Sequence, residues 1–171
     1  MFLKYAKYNK WAGDKTRKVL GNLTNEEYLQ DLGEPFTDRL NTIQNLMEHT
    51  IQGLEFAFIQ ISEGIETYSE FSNKVPKLEE LTLQMSIDRW QQIDEKLLAY
   101  IEKNDLTGTA IFPIPDHDGV SIKKTDMLFQ FFNHALYHRG QIMLALNHLE
   151  KETVGTDYIR YIFDLMFSQS K

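Results

Sequence analysis

FFNHALYHRGQ, residues 131–141, reads as the middle of a long helix, because apolar residues recur around it at three- and four-residue steps. His134 and His138 stand four positions apart, so at about 100° per residue they lie one turn apart on a single face. Phe131 precedes the pair by a turn, and Ile142 and Leu146 follow it by one and two turns. The pair therefore interrupts an apolar stripe, and buried imidazoles there need polar partners. One such partner is a metal ion shared by both rings, the use to which helical histidines at this spacing are often put. Gln141 follows His138 by three positions on nearly the same face, where it can orient an imidazole or hold a ligand water.

Working outward, this helix is expected from near Thr125 to about Leu149. Three more long amphipathic helices precede it. Phe2, Tyr5, Tyr8 or Asn9, Ala12, Thr16 and Val19 or Leu20 make the stripe of the first, over residues 2–20, which Gly21-Asn22 ends. Thr24 and Glu27 have capping-box spacing and predict a short helical turn, closed by Gly33 and Pro35. A second long helix is expected from Asp38 to Ser62, with Thr37 as its N-cap and Gly64 as its stop. Its inward stripe is Leu40, Ile43, Leu46 or Met47, Thr50, Leu54, Phe58 and Ile61. Pro76 suits the first turn of a third, which runs to about Lys103 through Leu78, Leu81, Met85, Trp90 or Ile93, Leu97 and Ile101.

Residues 104–124 break the helical period with Gly108, Pro113, Pro115 and Gly119, while Thr109, Ile111, Val120 and Ile122 offer short extended runs. A small hairpin or irregular insertion is expected there. Thr156-Asp157 caps a short last helix ending near Phe167. The fold class is therefore all-α, a four-helix bundle with a short additional C-terminal helix and a small insertion before the fourth long helix. With 171 residues, no repeat and no composition break, one domain over residues 1–171 is expected.

Composition excludes several functions. The formal net charge of -7 and the lack of a basic face argue against nucleic acid as a partner. The chain has no cysteine, so disulfides, thiolate nucleophiles and Cys-ligated zinc are all excluded. Lysines scattered through MFLKYAKYNKWAGDK break any signal-peptide core, and no window reaches the roughly 18 apolar residues of a membrane span. A cytoplasmic protein that does not enter the membrane is expected.

A third histidine, His49, sits in the apolar face of the second helix, with Asn45 one turn before it and Gln52 and Gly53 one turn after. Glycine inside a helix costs roughly 1 kcal/mol relative to alanine, and is tolerable where close approach or open space is needed. Spacing leaves two readings of the three histidines open: hydrogen-bonded core residues, or ligands to one ion with coordination positions to spare. His117, in the PDHDG turn, and His148, rotated off the ligand face, are expected in solvent. Glu48 and Arg139 each point about 100° away from the neighbouring ligand, and Arg139 is expected to pair with an acid or a helix end.

Three stretches carry a resemblance to a known family: YNKWAGDKTRKVLGNLTNEEY at residues 8–28, NLMEHTIQGLEF at 45–56 and NHALYHRGQI at 133–142. Together with GTDYIRYIF near the end, they make the chain similar to the DinB-like family, also called the DinB/YfiT-like metalloenzymes. The resemblance implies a four-helix bundle and frequently a homodimer. It also implies one divalent metal ion (zinc, nickel or iron) held by His49, His134 and His138. Gln141 stands as a candidate to support the ligands from behind, and no catalytic residue is identified. The family is named for induction by DNA damage, which implies a stress response and says nothing of DNA binding. Kinship with thiol-transferases implies a metal-dependent transferase that activates a low-molecular-weight thiol such as bacillithiol toward an electrophilic small molecule. A metal-dependent hydrolase and a non-catalytic metal-binding stress or interaction protein are the alternatives. The chain departs from some relatives late in the second helix, where Phe56 and Phe58 stand in place of tryptophan; this changes pocket shape more than metal binding.

Overall fold

The computed structural model describes residues 2–36, 39–65, 67–77, 80–114 and 117–168, with the side chains of His117 and Asp118 outside the described set. In chain order the elements are α1 (Phe2–Leu20), α2 (Asn25–Leu29), α3 (Ile43–Ser62), α4 (Tyr68–Ser72), α5 (Leu83–Lys103), β1 (Thr109–Ile114), β2 (His117–Lys123), α6 (Lys124–His148) and α7 (Tyr158–Ser168). The four long helices α1, α3, α5 and α6 form the expected bundle. Both α1 and α3 pack against α5 and α6, so α1 and α3 oppose each other across the bundle. The core between them is apolar, with Leu20, Leu46, Ile51, Leu54, Trp90 and Phe132 essentially sealed from solvent.

Local chemistry sets the ends. Thr24 accepts from the Glu27 backbone N–H while the Glu27 carboxylate accepts from the Thr24 N–H, the capping box that starts α2. The start of α3 differs from expectation. It begins at Ile43 rather than Asp38, because the Thr42 hydroxyl accepts from the Asn45 N–H and fixes the first turn there. Thr37 and Asp38, expected at that boundary, lie outside the described residues. The third long helix also starts later than Pro76 implied. Thr82 caps it by accepting from the Met85 N–H, and α4 occupies part of the connection instead. Met85 consequently stands in the first turn on the outer side, 46% exposed, and does not join the inward stripe. Leu78 lies outside the described residues.

The insertion before α6 is a two-stranded antiparallel hairpin, Thr109 opposite Lys123 and Phe112 opposite Val120, with a bulge between Phe112 and Ile114. It rests on α3 and α6. The last helix, α7, packs on α1. Trp11 donates from Nε1 to Asp164, and Tyr8 donates to the Thr156 carbonyl at 2.8 Å.

A polar cluster lies inside the bundle. Asp94 of α5 accepts from Arg17 Nη1 at 2.6 Å and from Asn9 Nδ2 at 3.3 Å; Asn9 in turn accepts from Arg139 Nη1 at 2.7 Å. All four side chains are buried. Burial pushes the Asp94 carboxyl up to about 7, and the guanidinium groups of Arg17 and Arg139 oppose that shift. Gly13 makes room for this cluster, since a Cβ there would stand 2.4 Å from Asp94 Oδ2. Arg139 is structural and ties α6 to α1, but it donates to the Asn9 amide rather than to the acid or helix end expected of it. Among the described residues no helix is long and apolar enough to cross a membrane.

Candidate metal centre

Helices α3 and α6 bring His49, His134 and His138 together. The ring centroids are 4.8 Å apart for His49 and His134, 4.5 Å for His49 and His138, and 4.3 Å for His134 and His138. One nitrogen from each ring falls within a common span of 4.8 Å. Gly53 is what lets α6 come this close. A Cβ at that position would lie 3.0 Å from His134 Cδ2 and 3.3 Å from Phe131 Cδ1, so a helix-weakening residue is retained for the sake of the approach.

The three imidazoles are held differently. His138 is buried, and its Nδ1 lies 2.5 Å from Gln141 Oε1. An amide oxygen only accepts, so the proton belongs on Nδ1 and Nε2 is left with a free lone pair. Gln141 itself donates to the Tyr137 hydroxyl, and the Tyr137 ring stands edge-on to His138. Gln141 thus contacts the His138 imidazole from one turn along α6. His134 is half-buried and His49 exposed, so only His138 fully meets the expectation of burial. Among the described residues neither His49 nor His134 has a hydrogen-bond partner for its ring nitrogens.

The electrostatics favour neutral rings. Burial lowers the pKa of His134, and the neighbouring His138 and His49 lower it further, to about 4. Burial also lowers His49 and His138, and the Gln141 hydrogen bond offsets part of the shift for His138. All three rings are therefore in the lone-pair form that binds cations at neutral pH.

Among the described residues no carboxylate joins the cluster. Glu48 precedes His49 but turns into the bundle, where it accepts from Ser86 Oγ at 2.6 Å and from Arg89 Nη1 at 2.5 Å. His148 is exposed near Phe36, away from the three, and the His117 side chain lies outside the described residues. Three converging neutral imidazoles, two without other partners, are a donor set that could hold one divalent ion. A three-histidine set leaves a coordination position open, and imidazole suits zinc, nickel and iron alike.

On its exposed side the cluster borders a cavity of about 320 Å³ between α3, α4, β1 and α6. Periodicity did not reveal this cavity, because its walls come from four separate elements.

Comparison with known proteins agrees with the fold. The family model described as DinB family matches residues 1–165. A Bacillus subtilis (strain 168) relative, Protein DinB, is 24% identical over 165 residues, covering 94% of this chain and 92% of its own. A solved DinB-like protein from Bacillus cereus superposes with a TM-score of 0.62 at 17% identity, over 88% of this chain and 94% of that one. Another, from Bacillus subtilis, gives a TM-score of 0.65 at 15% identity, over 89% and 96%.

Proposed function

The chain belongs to the DinB family, and from that premise we propose that it is a metal-dependent transferase that uses a low-molecular-weight thiol. The observation that carries the reading is the convergence of His49, His134 and His138 on one point beside an open cavity. His138, oriented by Gln141, and the two unpartnered rings are the ligands of one divalent ion. That ion, when bound, supplies a Lewis acid that lowers the pKa of a thiol so that thiolate is available at neutral pH. The protein has no cysteine, so the sulfur comes from a cosubstrate such as bacillithiol. The sulfur forms a bond to the electrophilic carbon, the bond to the leaving group breaks with its electron pair, and the thiol proton passes to solvent. The chain's own work is to position: Gly53 keeps the junction between ligands and cavity open, and Gln141 fixes the His138 ring.

A hydrolase is less well supported, because the carboxylate nearest a ligand in sequence, Glu48, is engaged by Ser86 and Arg89 and is not free to serve as a base at this face. The test is turnover of a haloarene by metal-loaded protein with bacillithiol and, separately, with water alone. Thioether formation that needs both metal and thiol is expected, and it should vanish in His138→Ala. Product from water alone would point to the hydrolase. No turnover with any thiol, while the metal stays bound, would point to a metal-binding protein without catalysis.

Exposed apolar faces on two helices support a homodimer in this reading. Ile159, Phe163 and Phe167 recur along the outer face of α7, and Phe129, Leu136, Tyr137 and Leu144 along α6, all at least 40% exposed. A second copy of this chain is their proposed cover. Sedimentation should give twice the chain mass, reduced to one chain mass in Phe163→Glu; a monomeric wild type would refute it.

A further inference from the structure

The cavity beside the histidines has an unusual lining. Phe56, Phe71, Phe112 and Phe131 pack around it in edge-on, tilted and stacked contacts, with centroids 5.3 Å apart for Phe56 and Phe71, 5.4 Å for Phe56 and Phe131, and 6.3 Å for Phe112 and Phe131. Tyr68 completes the wall. Ring–ring contacts of this kind favour defined relative orientations, which gives the cavity a slot-like aromatic wall. Among the described residues that line it, none carries a formal charge; the polar groups are Gln52, the Tyr68 hydroxyl and the imidazoles of His49 and His134. Phe131 stands edge-on to His134 with centroids 6.0 Å apart, so the aromatic wall continues directly into the ligand cluster.

We propose that this cavity takes the neutral aromatic part of the electrophilic substrate, one or two fused rings, with the reacting atom directed at the three histidines. The proposal rests on the metal reading for where the reacting atom sits. Size fits that class: an apolar cavity of roughly 150 Å³ accepts benzene, and one of about 320 Å³ has room for two rings. Charge sets the class, because an aromatic anion would lose its hydration against these walls and gain no counter-charge. For the same reason a hydrophilic, anionic thiol does not belong in the slot.

The test uses two ligand series. In cobalt-substituted protein, the visible absorption of the ion reports binding of imidazole, phenylimidazole and carboxyphenylimidazole. The imidazole nitrogen reaches the ion, and the ring alone probes the slot. Phenylimidazole is expected to bind at least about ten-fold tighter than imidazole, consistent with burial of one ring, and the carboxylate should lose that advantage. In Phe112→Ala the advantage should shrink while imidazole itself binds unchanged. In metal-free protein, naphthol should bind and naphthoate should not, as read from their own fluorescence. Equal affinities for imidazole and phenylimidazole, or carboxylates that bind as well as their neutral partners, would overturn the proposal. If cobalt fails to load, the metal reading fails instead, and the naphthol and naphthoate pair still decides the character of the slot.

Discussion

Asp94→Ala is expected to destabilise the fold by about 3–5 kcal/mol in urea unfolding, the range found when one member of a buried ionic pair is removed. Among the described residues Asp94 is the acid at the centre of the cluster: it accepts directly from Arg17 and is linked through Asn9 to Arg139. Asp14 also meets Arg17, yet it stands at the half-exposed rim and cannot follow the charge inward. Alanine at position 94 would leave two guanidinium groups in the bundle facing an empty volume. Asp94→Asn keeps the shape and should cost less, which separates charge from packing. A loss below about 1 kcal/mol for Asp94→Ala would mean that the cluster is solvated in ways its burial denies.

The second large effect is the response of stability to metal. Because the three imidazoles meet only in the folded chain, zinc at about 100 times its Kd should raise the unfolding free energy by roughly 2.7 kcal/mol. A chelator should abolish the gain. His138→Ala should show no gain at the same zinc concentration, since it removes the ring that Gln141 has oriented. Gln141→Leu should respond, but only at about 10–100-fold more metal, the usual cost of losing a residue that orients a ligand. An equal response in wild type and His138→Ala would locate the metal elsewhere.

Much of this arrangement was legible in the chain itself. The four long helices follow from apolar periodicity, and the hairpin from the Gly and Pro cluster around residues 108–119 with extended runs on either side. His134 and His138 are paired on one helix face by their four-residue step, which leaves ligand and core readings both open. His49 has no such pairing, and a lone histidine in an apolar stripe reads equally well as core; only its resemblance to a family segment joined it to the others. Helix starts were misplaced where several threonines compete as caps. Thr37 and Thr42 are both suitable by type, and the choice depends on which hydroxyl finds a backbone N–H. The five residues of α4 are too few to show a period. The polar cluster also escaped notice, since Asn9, Arg17, Asp94 and Arg139 sit on three helices whose facing is set by tertiary packing alone. The aromatic slot was hidden for the same reason, each wall being an ordinary core phenylalanine within its own element.

The most direct test of the central claim is the metal content of protein purified without a histidine tag and dialysed to equilibrium. Close to one divalent ion per chain is expected for the wild type, with loss of the ion in His49→Ala, His134→Ala and His138→Ala. Full occupancy in all three variants, or an empty wild type after saturation with zinc, nickel and iron, would contradict it.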